Sequence, residues 1–263
     1  MSSAAREAGE DLAFAHRLAD GASAVALGYF GSATRTETKA DGSPVGEADL
    51  AVDELLVQTI MDERPEDAVL SEESGPVGEA TRRWIVDPID GTVAFLAGAP
   101  EWGTHIALEE DGLVVAAVVT RPVLGLRWWA ARGAGAFRGR AEGAQLVGVE
   151  RLHTSSVPVL REARVAAWDL GDEVDAGALR ALRSAGRWVD LEYNDLLAVL
   201  DARADVMPVP GKVWDHAPFA LLLSEAGGSV LDPLGGERLD MGWVVFTNGH
   251  VDDQVRALLA GAR

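Results

Sequence analysis

The segment Trp84-Ile-Val-Asp87-Pro-Ile-Asp90-Gly-Thr92 runs from three apolar residues into two carboxylates three positions apart. Pro88 fixes one φ angle between them, and Gly91 permits a tight backbone path. Thr92 comes next at what reads as a helix start, where free N–H groups and the helix dipole favour an anion. Two carboxylates and a loop carbonyl form a hard oxygen donor set, the kind that suits magnesium. Further acids stand at comparable places: Glu72-Glu73 ahead of Gly75, Asp215 within Val213-Trp214-Asp215-His-Ala-Pro-Phe219, and Asp49. Taken singly, each has an ordinary explanation. Asp90, Asp215 and Asp49 each suit a helix N-cap, and Glu72-Glu73 suits a solvated acidic turn. The Trp84–Thr92 string as a whole does not reduce to a cap.

Such acids act together only if separate elements carry them to one place. Apolar residues at Leu12, Ala15, Leu18, Ala22, Val25 and Tyr29 predict a helix over Asp11–Phe30. A polar, turn-rich stretch from Thr34 to Gly46 follows. A second helix is predicted from Asp49 to Arg64, with Val52, Leu55, Leu56, Thr59 and Ile60 on one side and Pro65 as its stop. Ala68–Ser71 and Arg83–Val86 read as short buried strands, each running straight into acids. Thr104–Leu108 and Leu113–Thr120 flank the turn Glu109-Glu-Asp-Gly112, and Leu126–Ala131 reads as a third strand. Gly133–Phe137 is expected to break this pattern, and Gly139–Gly148 is polar and glycine-containing. These features place a boundary near residue 145, giving domains over 1–145 and 146–263. The second half alternates: a strand at Arg164–Trp168, helices at Ala176–Ala185 and Asp195–Arg203, an apolar helix at Asp215–Ala226 closed by Gly227-Gly228, then a strand at Ser229–Leu231. Such alternation argues for a layered α/β fold.

Composition narrows the function classes. The 263 residues include no cysteine, which excludes a disulfide scaffold, a thiolate zinc site and a thiol nucleophile. Asp and Glu number 42 against 23 Lys and Arg, a formal net charge of −19. A chain this acidic lacks the basic footprint of a nucleic-acid binder and is repelled by anionic membranes. Met1–Phe30 carries no basic segment followed by an apolar one, and the longest aliphatic run, Leu113–Val119, is too short to cross a bilayer. A soluble, cytoplasmic protein is the expectation. His105 and His216 read as core or surface residues, Trp128-Trp129 as sheet packing, and Lys212 either as a solvated lysine or as a charge offset near the acids.

The motifs together resemble the inositol monophosphatase superfamily of magnesium-dependent phosphomonoesterases. The strings are Lys39…Gly42-Ser-Pro-Val45-Gly-Glu-Ala-Asp49, Glu72-Glu73-Ser-Gly75, Asp87-Pro-Ile-Asp-Gly-Thr92, and Trp214-Asp215 followed by Glu225-Ala-Gly-Gly228. Within it, Arg121-Pro-Val…Arg127-Trp-Trp-Ala-Ala-Arg-Gly133 is most similar to the histidinol-phosphatase branch. The resemblance implies a layered αβαβα sandwich assembled as a homodimer, acting on a small phosphorylated metabolite. It implies that Glu72, Asp87 and the Ile89 carbonyl bind one Mg2+ ion and that Asp87, Asp90 and Asp215 bind a second, with two or three ions per site. Gly91 and Thr92 would offer backbone N–H groups to the phosphate, and Asp215 would also contact the substrate. Thr92 with Asp49, beside Glu72, would orient and deprotonate the attacking water.

The substrate side departs from the family. Gly46 stands where a threonine is usual, Val93 and Ala94 where a polar residue and an asparagine follow Gly-Thr, Ala97 where the histidinol-phosphatase branch has arginine, and Pro208 where a substrate-contacting glutamate is frequent. Losing groups that bond a hydroxyl or amine penalises such substrates. The expected substrate is therefore histidinol-phosphate-like, inositol-phosphate-like or a specialised-pathway metabolite, not free inositol phosphate or histidinol phosphate themselves. The alternatives are a non-catalytic metal-binding scaffold that kept the fold and a haloacid-dehalogenase-type phosphatase. The latter needs an aspartate two residues before Asp90, where Pro88 stands.

Overall fold

The computed structural model of the protein describes residues 3–32, 36–38, 44–143, 145–191 and 195–262. Lys39, Gly42 and Ser43 of the first matched string lie outside the described residues. Two compact units divide the chain, Met1–Glu150 and Arg151–Arg263. Each is mixed α/β and has its own large sheet.

The first unit opens with helix α1 (Ser3–Tyr29), the paired strands β1 (Thr36–Thr38) and β2 (Pro44–Gly46), and helix α2 (Glu47–Glu63). α1 begins earlier than the apolar periodicity predicts, because Ala4-Ala-Arg-Glu-Ala8 are all strong helix formers. Its buried face is Phe14, Ala15, Leu18, Ala19, Ala22 and Ala26. α2 ends where the Arg64 N–H reaches the Ile60 carbonyl at 2.7 Å, just before Pro65.

There follow β3 (Ala68–Ser71), β4 (Gly75–Val77), β5 (Arg82–Asp90), the helical turn α3 (Thr92–Leu96), β6 (Gly103–Glu110), β7 (Leu113–Arg121), β8 (Leu126–Ala131), β9 (Gly135–Glu142) and β10 (Gln145–Arg151). The strands form one sheet in the order β10-β9-β8-β7-β6-β5-β3-β4. β3 and β5 run parallel with Ser71 opposite Val86, so both strands end on the same edge. Asp111 (φ 50°) and Gly112 (φ 80°) make the tight turn between β6 and β7, as the Asp-Gly pair predicts. The break expected at Gly133–Phe137 and the polar stretch Gly139–Gly148 are instead strands β9 and β10. Trp129 explains this. Phe137 stacks on its indole at 6.0 Å, and a Cβ at Gly139 would stand 3.0 Å from that ring, so the glycine makes room for the tryptophan. Leu56 and Ile60 of α2 are fully buried with Trp84 and Ile106 of the sheet, and Phe14 of α1 meets Trp84 edge-on at 5.1 Å.

The second unit contains β11 (Arg164–Ala167), α4 (Ala176–Ala185), β12 (Arg187–Asp190), β13 (Val206–Pro210), α5 (Val213–Ala226), β14 (Ser229–Leu231), β15 (Trp243–Thr247) and α6 (Asp252–Gly261), with sheet order β12-β11-β13-β15-β14. Val165, Leu182, Val206, Val245 and Val255 are among its core residues. The helix predicted over Asp195–Arg203 is not formed. The Asp195 carboxylate accepts the Leu197 N–H at 3.3 Å and pairs with Arg203 at 2.5 Å, competing with helical bonding. Ala202 turns left-handed at φ 52°, and the N–H groups of Arg203 and Ala204 both reach the Ala198 carbonyl. Pro208 and Pro210 fit within β13 because its pairing with β11 is at Val165–Val206, ahead of both prolines.

His16 on α1 meets Trp129 edge-on at 5.4 Å, with Nδ1 3.4 Å from Arg127. Burial foremost, and the Arg127 charge after it, push its pKa down to about 4 against a smaller upward pull from Asp20. The unfolded chain binds a proton at this histidine below its ordinary 6.5, and the folded chain does not until about 4. Stability is therefore lost as pH falls through that window. Urea unfolding followed against pH should find that His16→Gln removes about 2 kcal/mol of the loss between about pH 7 and 5. An unchanged slope would show that His16 is as easily protonated folded as unfolded.

Candidate active site

Asp87 and Asp90 lie on β5, and Glu72 follows β3 beside them. Glu72 follows β3 and donates its N–H to the Val86 carbonyl at 3.1 Å, so Glu72 and Asp87 leave neighbouring strand ends. β5 then carries Asp90 through a bulge. Asp87 pairs with His105 and Asp90 with Gly103, leaving one extra residue on β5. Pro88 contributes no N–H donor there, and its carbonyl accepts the Thr104 hydroxyl at 2.9 Å. A bulge breaks the alternation of side chains and re-aims them. Here one ligand atom from each of Asp87, Asp90 and His105 falls within 4.8 Å of the others. Their exposures are 1%, 6% and 0%. Glu72 is not one of those three residues.

His105, read from sequence as core or surface, is a core residue that also joins the carboxylates. Its only signal is its register opposite Asp87, which exists only once β5 and β6 are paired. His105 Nε2 lies 3.4 Å from Asp90 Oδ2, and Arg121 Nη1 donates to the same oxygen at 3.3 Å. Burial lowers the His105 pKa to about 4; Asp90 pulls it up, and Arg121 pushes it further down. The imidazole is therefore neutral at neutral pH. Asp87, Asp90 and Arg121 then sum to one negative charge in a buried place, a condition that a bound cation relieves. The two carboxylates and the intervening Ile89 carbonyl are oxygen donors of the kind that suits a hard divalent cation.

The turn beyond Asp90 is built on Gly91, which caps α3 in the left-handed region (φ 82°, ψ 39°). A Cβ there would lie 2.8 Å from the Glu101 carbonyl oxygen, so the position tolerates only glycine. Asp90 is thus not the cap that its position suggests. Thr92 opens α3, and its hydroxyl lies 2.9 Å from Asp49 Oδ1 and 3.1 Å from the Ile89 carbonyl oxygen. With one proton to give, it donates to one of them at a time. Asp49 is buried and stands third in α2, with Gly46 as the cap. Its other oxygen accepts the Gly46 N–H at 3.0 Å, so the backbone bond holds without a side chain at position 46. Val93 is 69% exposed beside Thr92, and Leu96 and Ala97 are also exposed.

In the second unit, Asp215 also stands third in its helix, α5, rather than capping it. Its carboxylate accepts the Lys212 N–H at 2.6 Å. Lys212 is exposed, with its ammonium 5.3 Å from the Trp214 ring. His216 is fully buried, its Nδ1 2.9 Å from the Leu239 carbonyl, and burial lowers its pKa. Pro208 is buried in β13.

The inositol monophosphatase family model matches residues 8–260. A Streptomyces griseus protein named glucose-1-phosphate thymidylyltransferase is 46% identical, covering 95% of this chain and 96% of that protein. A histidinol-phosphatase of Streptomyces coelicolor is 36% identical over 95% of this chain and 97% of its own. Among solved structures, an IMPase of Thermotoga maritima superposes with a TM-score of 0.79 at 26% identity, covering 96% of this chain and 98% of that one. A match running through both units, together with a buried acidic turn of this kind, places the chain in the inositol monophosphatase family, as a phosphatase that hydrolyses phosphoric monoesters.

Proposed function

We propose that the protein is a Mg2+-dependent phosphomonoesterase that hydrolyses a small phosphorylated alcohol with a metal-activated water. The observation that carries this reading is the buried Asp87–Asp90 turn, with Thr92 tied to Asp49 at 2.9 Å. Glu72, Asp87, the Ile89 carbonyl and Asp90 would hold the ions, and the resemblance adds Asp215. When bound, the ions would offset the charge of the carboxylates and of the phosphate dianion, acidify a water and stabilise the leaving alkoxide. Gly91 and Thr92 would hold the phosphate through backbone N–H groups. Thr92, with Asp49 accepting its hydroxyl proton, would orient the water and pass a proton toward Asp49, with Glu72 beside them as the resemblance implies. Arg121 would hold Asp90 in place by its bond to Oδ2.

The substrate's alcohol portion would meet Val93, Ala94 and Ala97, which offer it no side-chain hydrogen bond. We therefore assign a substrate whose alcohol part differs from free inositol or histidinol. A cytoplasmic homodimer is part of the same reading.

Phosphate release from histidinol phosphate, inositol phosphates, sugar phosphates and nucleoside monophosphates, with Mg2+ and with a chelator, tests the reading. Release is expected only with the cation, and Asp90→Asn should lose at least about 100-fold in kcat while melting near the parent temperature. Near-parent turnover in that variant would remove Asp90 from the machinery. Glucose 1-phosphate belongs in the panel, alone and with dTTP, given the name of the Streptomyces griseus relative. A hydrolase releases inorganic phosphate from it, whereas nucleotidyl transfer would release pyrophosphate.

Gly91→Ala isolates the turn. The added methyl meets the Glu101 carbonyl in a left-handed backbone, so kcat should fall by more than about tenfold, with roughly 1–3 kcal/mol of stability lost. Parent-like kcat at a parent-like melting temperature would mean that the turn relaxes without consequence.

A further inference from the structure

The buried stripe of α2 is chemically split. Leu56 and Ile60 continue it toward the C-terminus, whereas Asp49 and Asp53 begin it, at exposures of 1% and 5%. A helix that places two carboxylates on its core-facing side carries a desolvation cost unless each finds donors. Asp49 finds the Thr92 hydroxyl and the Gly46 N–H. Asp53 finds two serines: Ser71 Oγ donates to Oδ1 and Ser74 Oγ to Oδ2. Those serines bracket Glu72-Glu73, one ending β3 and the other just past the acidic pair. A single carboxylate thus fastens both ends of the segment that carries Glu72.

We propose that Asp53 is a positioning residue for the divalent-cation site, acting through Ser71 and Ser74 on Glu72. The inference rests on the proposed metal-dependent reading and adds to it a residue that contacts neither ion nor substrate. Four residues along one helix advance about 6 Å, so Asp49 and Asp53 stand one turn apart on the same face. One rigid element therefore sets the spacing between two loops: the Asp87–Thr92 turn, tied through Thr92, and the Glu72 segment, tied through the serines. Without the Asp53 anchor, Glu72 keeps its backbone bond to Val86 and the β3–β4 hairpin still pairs Ser71 with Gly75, but the Ser71 and Ser74 side chains lose the carboxylate that ties them to α2. Groups behind metal ligands typically change affinity by about 10–100-fold when removed. The sequence signal is modest: an aspartate on the Val52, Leu56, Ile60 face of an amphipathic helix, where an apolar residue is the rule.

The test is calorimetric titration of the whole chain with Mn2+ and with Mg2+, alongside thermal melting and the Mg2+ dependence of phosphate release. Asp53→Asn and Ser74→Ala should each weaken cation binding, the first by about tenfold or more and the second several-fold. Their kcat should recover at raised Mg2+. The double variant should bind no more weakly than Asp53→Asn alone, because both changes cut the same tie. Parent-like Mn2+ and Mg2+ affinity in both variants, with only a lowered melting temperature, would overturn the proposal and leave Asp53 as a packing residue. If Asp53→Asn fails to fold, Ser74→Ala at its exposed position decides the matter alone, and parent-like affinity in it overturns the proposal. A parent chain that binds neither cation would overturn the metal-dependent reading and this one together, which distinguishes the two failures.

Discussion

Two carboxylates three residues apart cannot both leave water without a positive partner close by, and the rest of the first unit is arranged around that constraint. Asp87 and Asp90 are buried at the end of β5, on a bulge that turns both toward one small volume. Arg121 offsets part of their charge through Asp90 Oδ2, and His105, held neutral by burial, offsets none. The remaining negative charge has a use only if a cation comes to it. A surrounding chain with a net charge of −19 strengthens that attraction while repelling a phosphate dianion. Cation first and phosphate second is the order that the electrostatics favours.

Rigidity comes from elements that touch neither ion nor substrate. The Pro88 carbonyl is held by Thr104, the Gly91 turn is pressed against Glu101, and Thr92 is tied to α2. Each tie removes freedom from a loop that would otherwise reorganise as charge develops, and preorganised dipoles are worth most when they need not move. The antiparallel strands β6 and β7 matter here as the support from which Thr104, His105 and Arg121 reach across to β5.

Much of this was legible in the amino-acid sequence, for definite reasons. Long amphipathic helices and apolar strands announce themselves through local periodicity, and the Asp111-Gly112 turn through its residue types. The Asp87–Thr92 string is legible because proline, glycine and acids at that spacing have few other uses. What escaped depends on partners distant in the chain. His105 and Arg121 acquire their places only through strand register, and β9 and β10 form despite five glycines from Gly133 to Gly148, of which Gly139 makes room for Trp129. Asp195–Arg203 misled for the opposite reason: its apolar spacing is helical, but the Asp195 carboxylate binds the Leu197 N–H and the Arg203 side chain.

In the proposed reading, the acids and the residues that would face the substrate obey different rules. Asp49, Asp87 and Asp90 are buried, and charge and burial leave them little latitude. The residues beside the turn are less constrained: Val93 is exposed, and Ala94 and Ala97 carry no polar group. An apolar surface rewards shape and discriminates a hydroxyl only weakly, whereas a buried polar group left unbonded discriminates strongly. In the proposed reading, a turn that keeps its acids beside valine and alanine would retain the reaction while the choice of alcohol is free to differ, because the charge and the apolar neighbours are set by separate residues.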